Sequence, residues 1–397
     1  MSTMMIVVLV TGALVALVNG ANDVSKGVAT LVGSGLATPR RALAWGAGWT
    51  AVGGWAGALL AGAMVTTFGK GLLEAHVVPS FAAALASILG AAAWVLLATR
   101  TGLPVSTTHA IVGSLCGAAS VAYGVGGVRW GALAGRIALP LVVGPVVSLA
   151  LTALVVLVVT RLTARREART RGGAGSGGGG AAAGAGLPDC VCVEPALASV
   201  VADGAMPGAA RIALAGPLVT VDTTAACAVD RPAAARVTLD QVHWATSAAT
   251  STARAMNDAP KMAALIVAAG ALAGTAGGVP TRAAFAVVTV AMVIGSVFAG
   301  GRVLTMMSTK LTRMDRWEGF AANAVTASLV AAGAIFGLPL STTHVATGGI
   351  VGSALHRGKG AISRRTLRDM VLAWVVTLPC SALLGVLAYF AVRLFVR

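Results

Sequence analysis

Two short polar motifs each occur twice in this chain, in otherwise apolar surroundings. Asn-Asp-x-x-Lys occupies residues 22–26 and returns at residues 257–261. Gly-Leu-Pro-x-Ser-Thr-Thr-His occupies residues 102–109 and returns at residues 337–344. In both copies, 83 positions separate the aspartate from the serine. Equal spacing of two motifs indicates an internal duplication, and the functional site is expected where the two halves meet.

The composition determines the environment of this duplicated chain. The 397 residues are 57% hydrophobic and only 11% charged, and the mean hydropathy is +0.87. Apolar runs such as residues 42–67, 131–160 and 370–392 are long enough to cross a hydrocarbon layer of about 30 Å as helices. Strands of alternating polarity, which a barrel would need, are absent. The sequence predicts an all-α, multi-pass protein of the cell (inner or plasma) membrane.

The formal net charge of +16 does not indicate a nucleic-acid partner, because the basic residues lie between apolar runs. With five segments in each half and the N-terminus outside, most of them, including Arg161–Arg171, fall on one side. That side is predicted to be cytoplasmic. An odd number of crossings in each half predicts two inverted-topology repeats of about five or six helices, with broken or re-entrant helices at the midplane.

These patterns divide the chain into three predicted regions. Residues 1–162 form a first transmembrane repeat, residues 163–240 a partly disordered cytoplasmic linker, and residues 241–397 a second repeat. The linker opens with a Gly/Ala/Ser-rich run at residues 172–186, which is typical of a flexible tether. The five scattered cysteines give no disulfide framework or metal site. The one close pair, Cys190-x-Cys192, is interpreted as reduced loop thiols, with metal or redox chemistry as the alternative.

The charged residues of the first motif are costly inside a membrane. Each unpaired charge at mid-bilayer costs roughly 2.5 to 3.5 kcal/mol, so these side chains must pair or line a wet cavity. A structural ion pair between positions i and i+3 is one interpretation. In the functional interpretation, the aspartates and their neighbouring asparagines hold a coupling cation or proton. The lysines then attract an anion. The residues concerned are Asn22, Asp23, Lys26, Asn257, Asp258 and Lys261.

The second motif has the features of an oxyanion site. A helix that starts after the proline offers free backbone N–H groups, the positive end of its dipole and three hydroxyls. A simple capped helix break is the alternative. The histidines that follow, His109 and His344, are predicted to donate to the anion, relay protons or cap the helix, and the sequence does not choose among these roles. Arg254 either pairs with Asp258, four residues later, or contacts the substrate.

Together, the four motif copies resemble the inorganic phosphate transporter (PiT) family in order and spacing, over both membrane halves. The resemblance implies secondary uptake of inorganic phosphate with Na⁺ or H⁺ through an inverted-repeat fold that works by alternating access. It places the cation at Asp23 and Asp258. With the motif lysines included, the predicted phosphate site comprises Asn22, Lys26, Ser106, Thr107, Thr108, Asn257, Lys261, Ser341, Thr342 and Thr343.

The chain also departs from the family pattern. Many relatives carry glutamates where this chain has Ala84 and Asn323, and another near Gly54; their loss favours H⁺ as the coupling ion. The alternatives are a sulfate or other oxyanion permease of the same fold, a membrane-embedded phosphohydrolase and a passive channel. No activated nucleophile or metal cluster is apparent, so we expect a transporter rather than an enzyme. The expected partners are inorganic phosphate and membrane lipid, with no cofactor beyond the coupling ion; a homo-oligomer is left open.

Overall fold

The computed structural model describes most of the chain. The described residues are 2–69, 71–173, 189–194, 198–202, 210–214, 218–222, 224, 235–274, 278–358 and 360–395. They form two compact units. One comprises Met1–Leu154 and Ala245–Arg397, and the other comprises Val155–Trp244. The first unit contains both copies of each polar motif.

The first half of the chain folds into helices that match its five predicted segments, with breaks in three of them. They are α1 (Thr3–Asp23), α2 (Ser25–Gly33), α3 (Pro39–Leu60), α4 (Gly62–Gly69), α5 (Phe81–Thr101), α6 (Thr107–Tyr123), α7 (Trp130–Ala132) and α8 (Leu139–Gly173). A π-helical segment, Leu133–Ala138, joins α7 to α8. Helix α8 continues thirteen residues beyond the predicted end at Thr160.

The second half repeats this order of long and short helices. They are α9 (Leu239–Ala271), α10 (Thr281–Ala299), α11 (Gly301–Thr305), α12 (Arg316–Ile335), α13 (Thr342–Ala354) and α14 (Arg364–Phe395). By motif position, α9, α10, α12, α13 and α14 correspond to α1, α3, α5, α6 and α8. The first polar motif breaks the helix at Val24 in the first half, whereas α9 runs unbroken through its copy.

The lengths and surfaces of these helices suit a membrane. Six helical segments of the described residues are long and apolar enough to cross one, and α3 with α4, bent by 79°, gives a seventh. Large apolar side chains such as Leu59 and Phe298 are 84% and 82% exposed, which would be unfavourable against water. The predicted helical, multi-pass membrane fold is therefore confirmed, although the chain is mostly and not entirely helical. The inverted orientation of the halves stays a prediction.

Both copies of the second motif begin with a glycine that lies at the end of the preceding helix. Gly102 ends α5 at φ 77° and Gly337 follows α12 at φ 70°, a left-handed conformation that glycine adopts without strain. The next residue then bonds back across the helix end: Leu103 N–H donates to Ala98 O at 2.9 Å, and Leu338 N–H donates to Gly333 O at 2.8 Å. The sequence repeat is therefore also a repeat of local geometry.

The two halves contact each other through close helix crossings at small residues. A Cβ added at Gly20 of α1 would lie 2.0 Å from Met292 O of α10, and one at Gly53 of α3 would lie 2.2 Å from Thr252 O of α9. Such approaches are possible only for glycine, and they hold membrane helices together by dispersion contacts. The crossings bring the motif-bearing helices α1 and α9 against the other half of the chain.

The second unit contains strands that the sequence did not predict. They are β1 (Cys190–Glu194), β2 (Ala198–Ala202), β3 (Ala210–Leu214), β4 (Leu218–Asp222) and β5 (Ala235–Thr238). An antiparallel sheet has the order β4-β1-β5, and β2 pairs with β3. Within the Gly/Ala/Ser-rich run, residues 174–186 lie outside the described residues, so the predicted linker boundaries and flexibility stay predictions.

The prediction of two reduced thiols in this unit is wrong for one of them. Cys192 is disulfide-bonded, whereas Cys190 is a free, buried thiol whose Sγ lies 3.5 Å from Cys192 Sγ. Both side chains lie on one face of β1, because residues i and i+2 of a strand share a face. Sequence spacing could not predict this bond, because a disulfide depends on tertiary proximity.

Candidate functional site

In the first half, the polar motif forms a closed network around one carboxylate. Lys26 Nζ donates to Asp23 Oδ1. Asn19 Nδ2 donates to Asp23 Oδ2 at 3.1 Å, and Thr107 Oγ1 donates to the same oxygen at 3.3 Å. Asn19 Nδ2 also donates to Thr107 Oγ1 at 2.9 Å. Both oxygens of Asp23 therefore have partners, which offsets the cost of burying the charge.

Asn22 fixes the loop that precedes α6. Its Nδ2 donates to Thr99 Oγ1 at 3.1 Å and to Leu103 O at 3.0 Å, and its Oδ1 accepts from Val105 N–H at 3.2 Å. Both ends of this amide are therefore engaged with the protein. Asn22 therefore positions the start of the second motif.

The second half repeats this arrangement with fewer bonds. Asn257 Nδ2 donates to Asp258 Oδ1 and to Leu340 O, at 3.0 and 3.1 Å. Lys261 Nζ lies 3.0 Å from Asp258 Oδ1. Asn257 Oδ1 and Asp258 Oδ2 have no hydrogen-bond partner within the described part of the chain. The second carboxylate thus keeps a buried oxygen available to a donor.

The short helices α6 and α13 begin as the sequence predicts, with serine caps. Ser106 Oγ accepts from His109 N–H, and Ser341 Oγ accepts from His344 N–H, both at 3.3 Å. The serine oxygens therefore cap the two helices, and each hydroxyl keeps its O–H as a donor. The two threonines that follow each serine are buried in the first turn, next to the positive end of the helix dipole.

The starts of these two helices lie close together and are joined by contacts between the two halves. Lys261 Nζ, from the second half, donates to Thr108 Oγ1, from the first, at 2.7 Å. Thr343 Oγ1 donates to Val105 O at 2.7 Å. Lys26 Nζ donates to the same carbonyl at 3.2 Å. The predicted convergence of the two copies is therefore observed, and both lysines lie beside the hydroxyls.

The cluster is enclosed in this conformation. The phosphate-site residues predicted from the motifs are at most 4% exposed, and the aspartates are at most 2% exposed. A charge in such surroundings is worth far more to a ligand than the same charge in water. An anion that entered would replace bonds that the hydroxyls and ammonium groups now make to each other and to backbone carbonyls.

The histidines extend the cluster toward an apolar cavity. The ring centroids of His109 and His344 lie 4.8 Å apart, and that of Trp374 lies 4.1 Å from His344. His109 Nδ1 and His344 Nε2 have no partner within the described residues. Both rings line a cavity of about 500 Å³ whose other walls are mostly aliphatic. The three predicted histidine roles therefore stay predictions.

The structure adds one residue that sequence reasoning did not assign to the site, and it tests one of the two contacts considered for Arg254. Asn19 lies one helical turn before Asp23, a spacing that could have indicated its contact. Arg254 is 1% exposed and donates through Nη2 to Thr50 Oγ1, so the predicted pairing with Asp258 is not observed. Among the described residues, no group of three His, Cys, Asp or Glu side chains is placed to hold a metal ion.

Comparison with known proteins identifies the family of the chain. The sequence model described as "Phosphate transporter family" matches residues 19–385. The chain belongs to this family. Since the family consists of transporters, the prediction that the chain is not an enzyme is confirmed, and the phosphohydrolase alternative is wrong.

Two relatives illustrate how far the family match extends. The chain is 30% identical to inorganic phosphate transporter 2-1, chloroplastic, of Arabidopsis thaliana, over 93% of this chain and 68% of that protein. A solved structure titled "The sodium-dependent phosphate transporter" matches with a TM-score of 0.73 at 22% identity, covering 99% of this chain and 100% of that one. The second similarity is one of fold.

Proposed function

We propose that this chain is a secondary transporter that takes up inorganic phosphate across the cell membrane by symport with H⁺ or Na⁺. The observation that carries the proposal is the meeting of two half-helix starts, one from each half, at buried threonine hydroxyls and lysine ammonium groups. Two helix N-termini with adjacent cations form a binding site for a tetrahedral anion. We also propose alternating access, because the site is enclosed in this conformation and must open to exchange its ligand.

Each group in the cluster has a proposed role. Lys26, Lys261 and the threonine hydroxyls of both motifs bind phosphate oxygens, replacing the bonds that now join Lys261 to Thr108 and Thr343 to Val105. Asp23 and Asp258 carry the coupling ion and accept a hydrogen bond from a protonated phosphate oxygen. The unpartnered Asp258 Oδ2 supports phosphate over sulfate, because sulfate has no proton to donate at neutral pH.

The identity of the coupling ion divides the proposal into two versions. The structural relative is named as sodium-dependent, whereas this chain carries Ala84 and Asn323, and no acidic residue near Gly54, where a carboxylate would help to hold a metal cation. Gly54 lies against Thr289, since a Cβ there would be 2.3 Å from Thr289 Oγ1. That contact leaves no room for a carboxylate side chain without rearrangement. We therefore propose that H⁺ is the coupling ion. Na⁺ is the alternative that the transport experiment must exclude.

Uptake of labelled phosphate into liposomes containing the purified full chain tests this function. Inward Na⁺ and H⁺ gradients are imposed separately, with the Asp258→Asn variant as the inactive control. We expect accumulation above equilibrium under the H⁺ gradient and little change with excess sulfate. Simple equilibration under every gradient would identify a passive channel, and displacement by sulfate would identify an oxyanion permease.

A further inference from the structure

The two halves differ at one position next to the aspartates. The motif copies are 235 residues apart, so Arg254 of α9 occupies the position of Asn19 of α1, four residues before the aspartate. In the first half, the neutral Asn19 bonds to Asp23 Oδ2 and Thr107 Oγ1. The second half has a permanently charged guanidinium in its place.

Arg254 is buried without the partners that a structural arginine needs. It is 1% exposed, and Nη2 donates to Thr50 Oγ1 of α3. Nε and Nη1 have no hydrogen-bond partner within the described residues. No ion pair between Arg254 and a carboxylate occurs among those residues. A charged group this deep is costly unless a ligand or a counter-charge meets it.

The position of Arg254 is held by close packing. Thr50 lies on α3, and α3 crosses α9 at Gly53 and Gly57, where an added Cβ would lie 2.2 Å from Thr252 O and 3.1 Å from Met256 O. The contact with Thr50 therefore anchors one end of the guanidinium beside the site. The charge of Arg254 interacts favourably with both Asp23 and Asp258.

The charge of the whole cluster follows from these residues. Asp23 with Lys26, and Asp258 with Lys261, form two neutral pairs. Arg254 is fully buried with them and leaves the cluster formally with one positive charge in excess. An anion can neutralise that charge, whereas a coupling cation would increase it.

We propose that Arg254 acts as a fixed internal cation of the phosphate site, so that the site binds its anion with one fewer mobile cation than a site with asparagine at this position. The inference rests on the proposed phosphate transport and deepens it. A loaded site that crosses the membrane interior must be close to neutral. A fixed charge supplied by the protein therefore replaces one that would otherwise enter with the substrate.

Two substitutions at this position separate charge from structure. Arg254→Asn installs the residue that the first half has at the matching position, and Arg254→Lys keeps the charge without the guanidinium. Arg282→Asn, at the exposed start of α10, is the matched control. Phosphate binding to purified protein gives Kd. In liposomes, the phosphate gradient at zero net flux, plotted against the imposed cation gradient, gives the number of cations per phosphate.

We expect Arg254→Asn to raise Kd about tenfold, as for the loss of a charge-assisted interaction, and to increase the number of cations per phosphate by one. Arg254→Lys and Arg282→Asn should match the unmodified protein in both. Unchanged Kd and coupling in Arg254→Asn would overturn the inference, and so would equal loss of binding in both Arg254 variants. Absence of phosphate transport by the unmodified chain would instead refute the proposed function.

Discussion

Among the described residues, the first half of the chain satisfies both oxygens of its motif aspartate, and the second half leaves one oxygen of the matching aspartate without a partner. Asp23 accepts hydrogen bonds on both oxygens from Lys26, Asn19 and Thr107, whereas Asp258 Oδ2 has no partner in the described part of the chain. Unsatisfied buried groups destabilise a protein but are available to a ligand. The two halves thus share a similar framework, and among the described residues most of the unpartnered atoms around the motif aspartates belong to the second half.

The two halves also differ at the starts of α5 and α12, the helices that precede α6 and α13. Tyr123 Oη accepts from Ser80 N–H at 2.6 Å in the first half. Near the matching place in the second half, Arg357 Nε lies 2.8 Å from Glu318 Oε1, and Glu318 forms a capping box with Asp315. A neutral hydrogen bond in one half thus corresponds to a partly buried ion pair in the other.

The largest expected effect comes from neutralising either aspartate. Asp23→Asn and Asp258→Asn each leave a buried lysine without its counter-charge, which costs about 3 to 5 kcal/mol. We expect both to abolish concentrative phosphate uptake. Asp23→Asn should also lower the unfolding midpoint in detergent further, because Asp23 has three donors. Normal accumulation by either variant, present in the membrane at the usual level, would contradict a coupling role.

The ion pair at the start of α12 should contribute more to the free energy of unfolding than the tyrosine hydrogen bond at the start of α5. Glu318→Gln keeps the capping hydrogen bonds but removes the ion pair, and we expect a loss of about 3 kcal/mol, at the lower end for buried pairs because Arg357 is 33% exposed. Tyr123→Phe removes hydrogen bonds worth about 1 kcal/mol. Thermal unfolding of the purified variants measures both. Equal losses would remove this difference between the halves.

Substitution of the matching threonines tests the polar networks directly. Thr107→Val removes hydrogen bonds to Asn19 and Asp23 and should raise the phosphate concentration for half-maximal uptake about tenfold, as expected for a bond to a charged group. Thr342→Val should raise it less, since Asp258 Oδ2 has no such bond. Thr66→Val, on an exposed face of α4, serves as the control. Unchanged values for both site variants would assign these threonines to structure.

Removal of residues 172–186 should have the smallest effect. The halves meet through α1, α3, α9 and α10, so a tether between them need not transmit force. We expect phosphate uptake close to that of the intact chain after this deletion. Uptake is measured in cells and corrected for the amount of protein in the membrane. Complete loss of uptake would show that the second unit takes part in transport.

Much of the fold followed from the apolar runs and the two repeated motifs. The ten predicted segments correspond to the long helices and to α6 and α13, and the serine caps occur where the hydroxyl runs predicted them. The strands of the second unit were missed, because short apolar stretches in a Gly- and Ala-rich region carry little periodicity. Asn19 was not assigned as a site residue, although its spacing from Asp23 was visible in the sequence. The bond from Arg254 to Thr50 was missed because the two residues are distant in sequence.

By itself, the sequence determined that the chain lies in a membrane, that it is duplicated, and that each half has a helix start suited to an oxyanion. These properties depend on local composition and spacing, which a chain cannot alter by folding. Only the tertiary structure decided that Lys261 reaches Thr108 and that Arg254 bonds to Thr50 and not to Asp258. Those contacts join residues 153 and 204 positions apart, and glycine-mediated helix packing, not motif chemistry, sets which of them form.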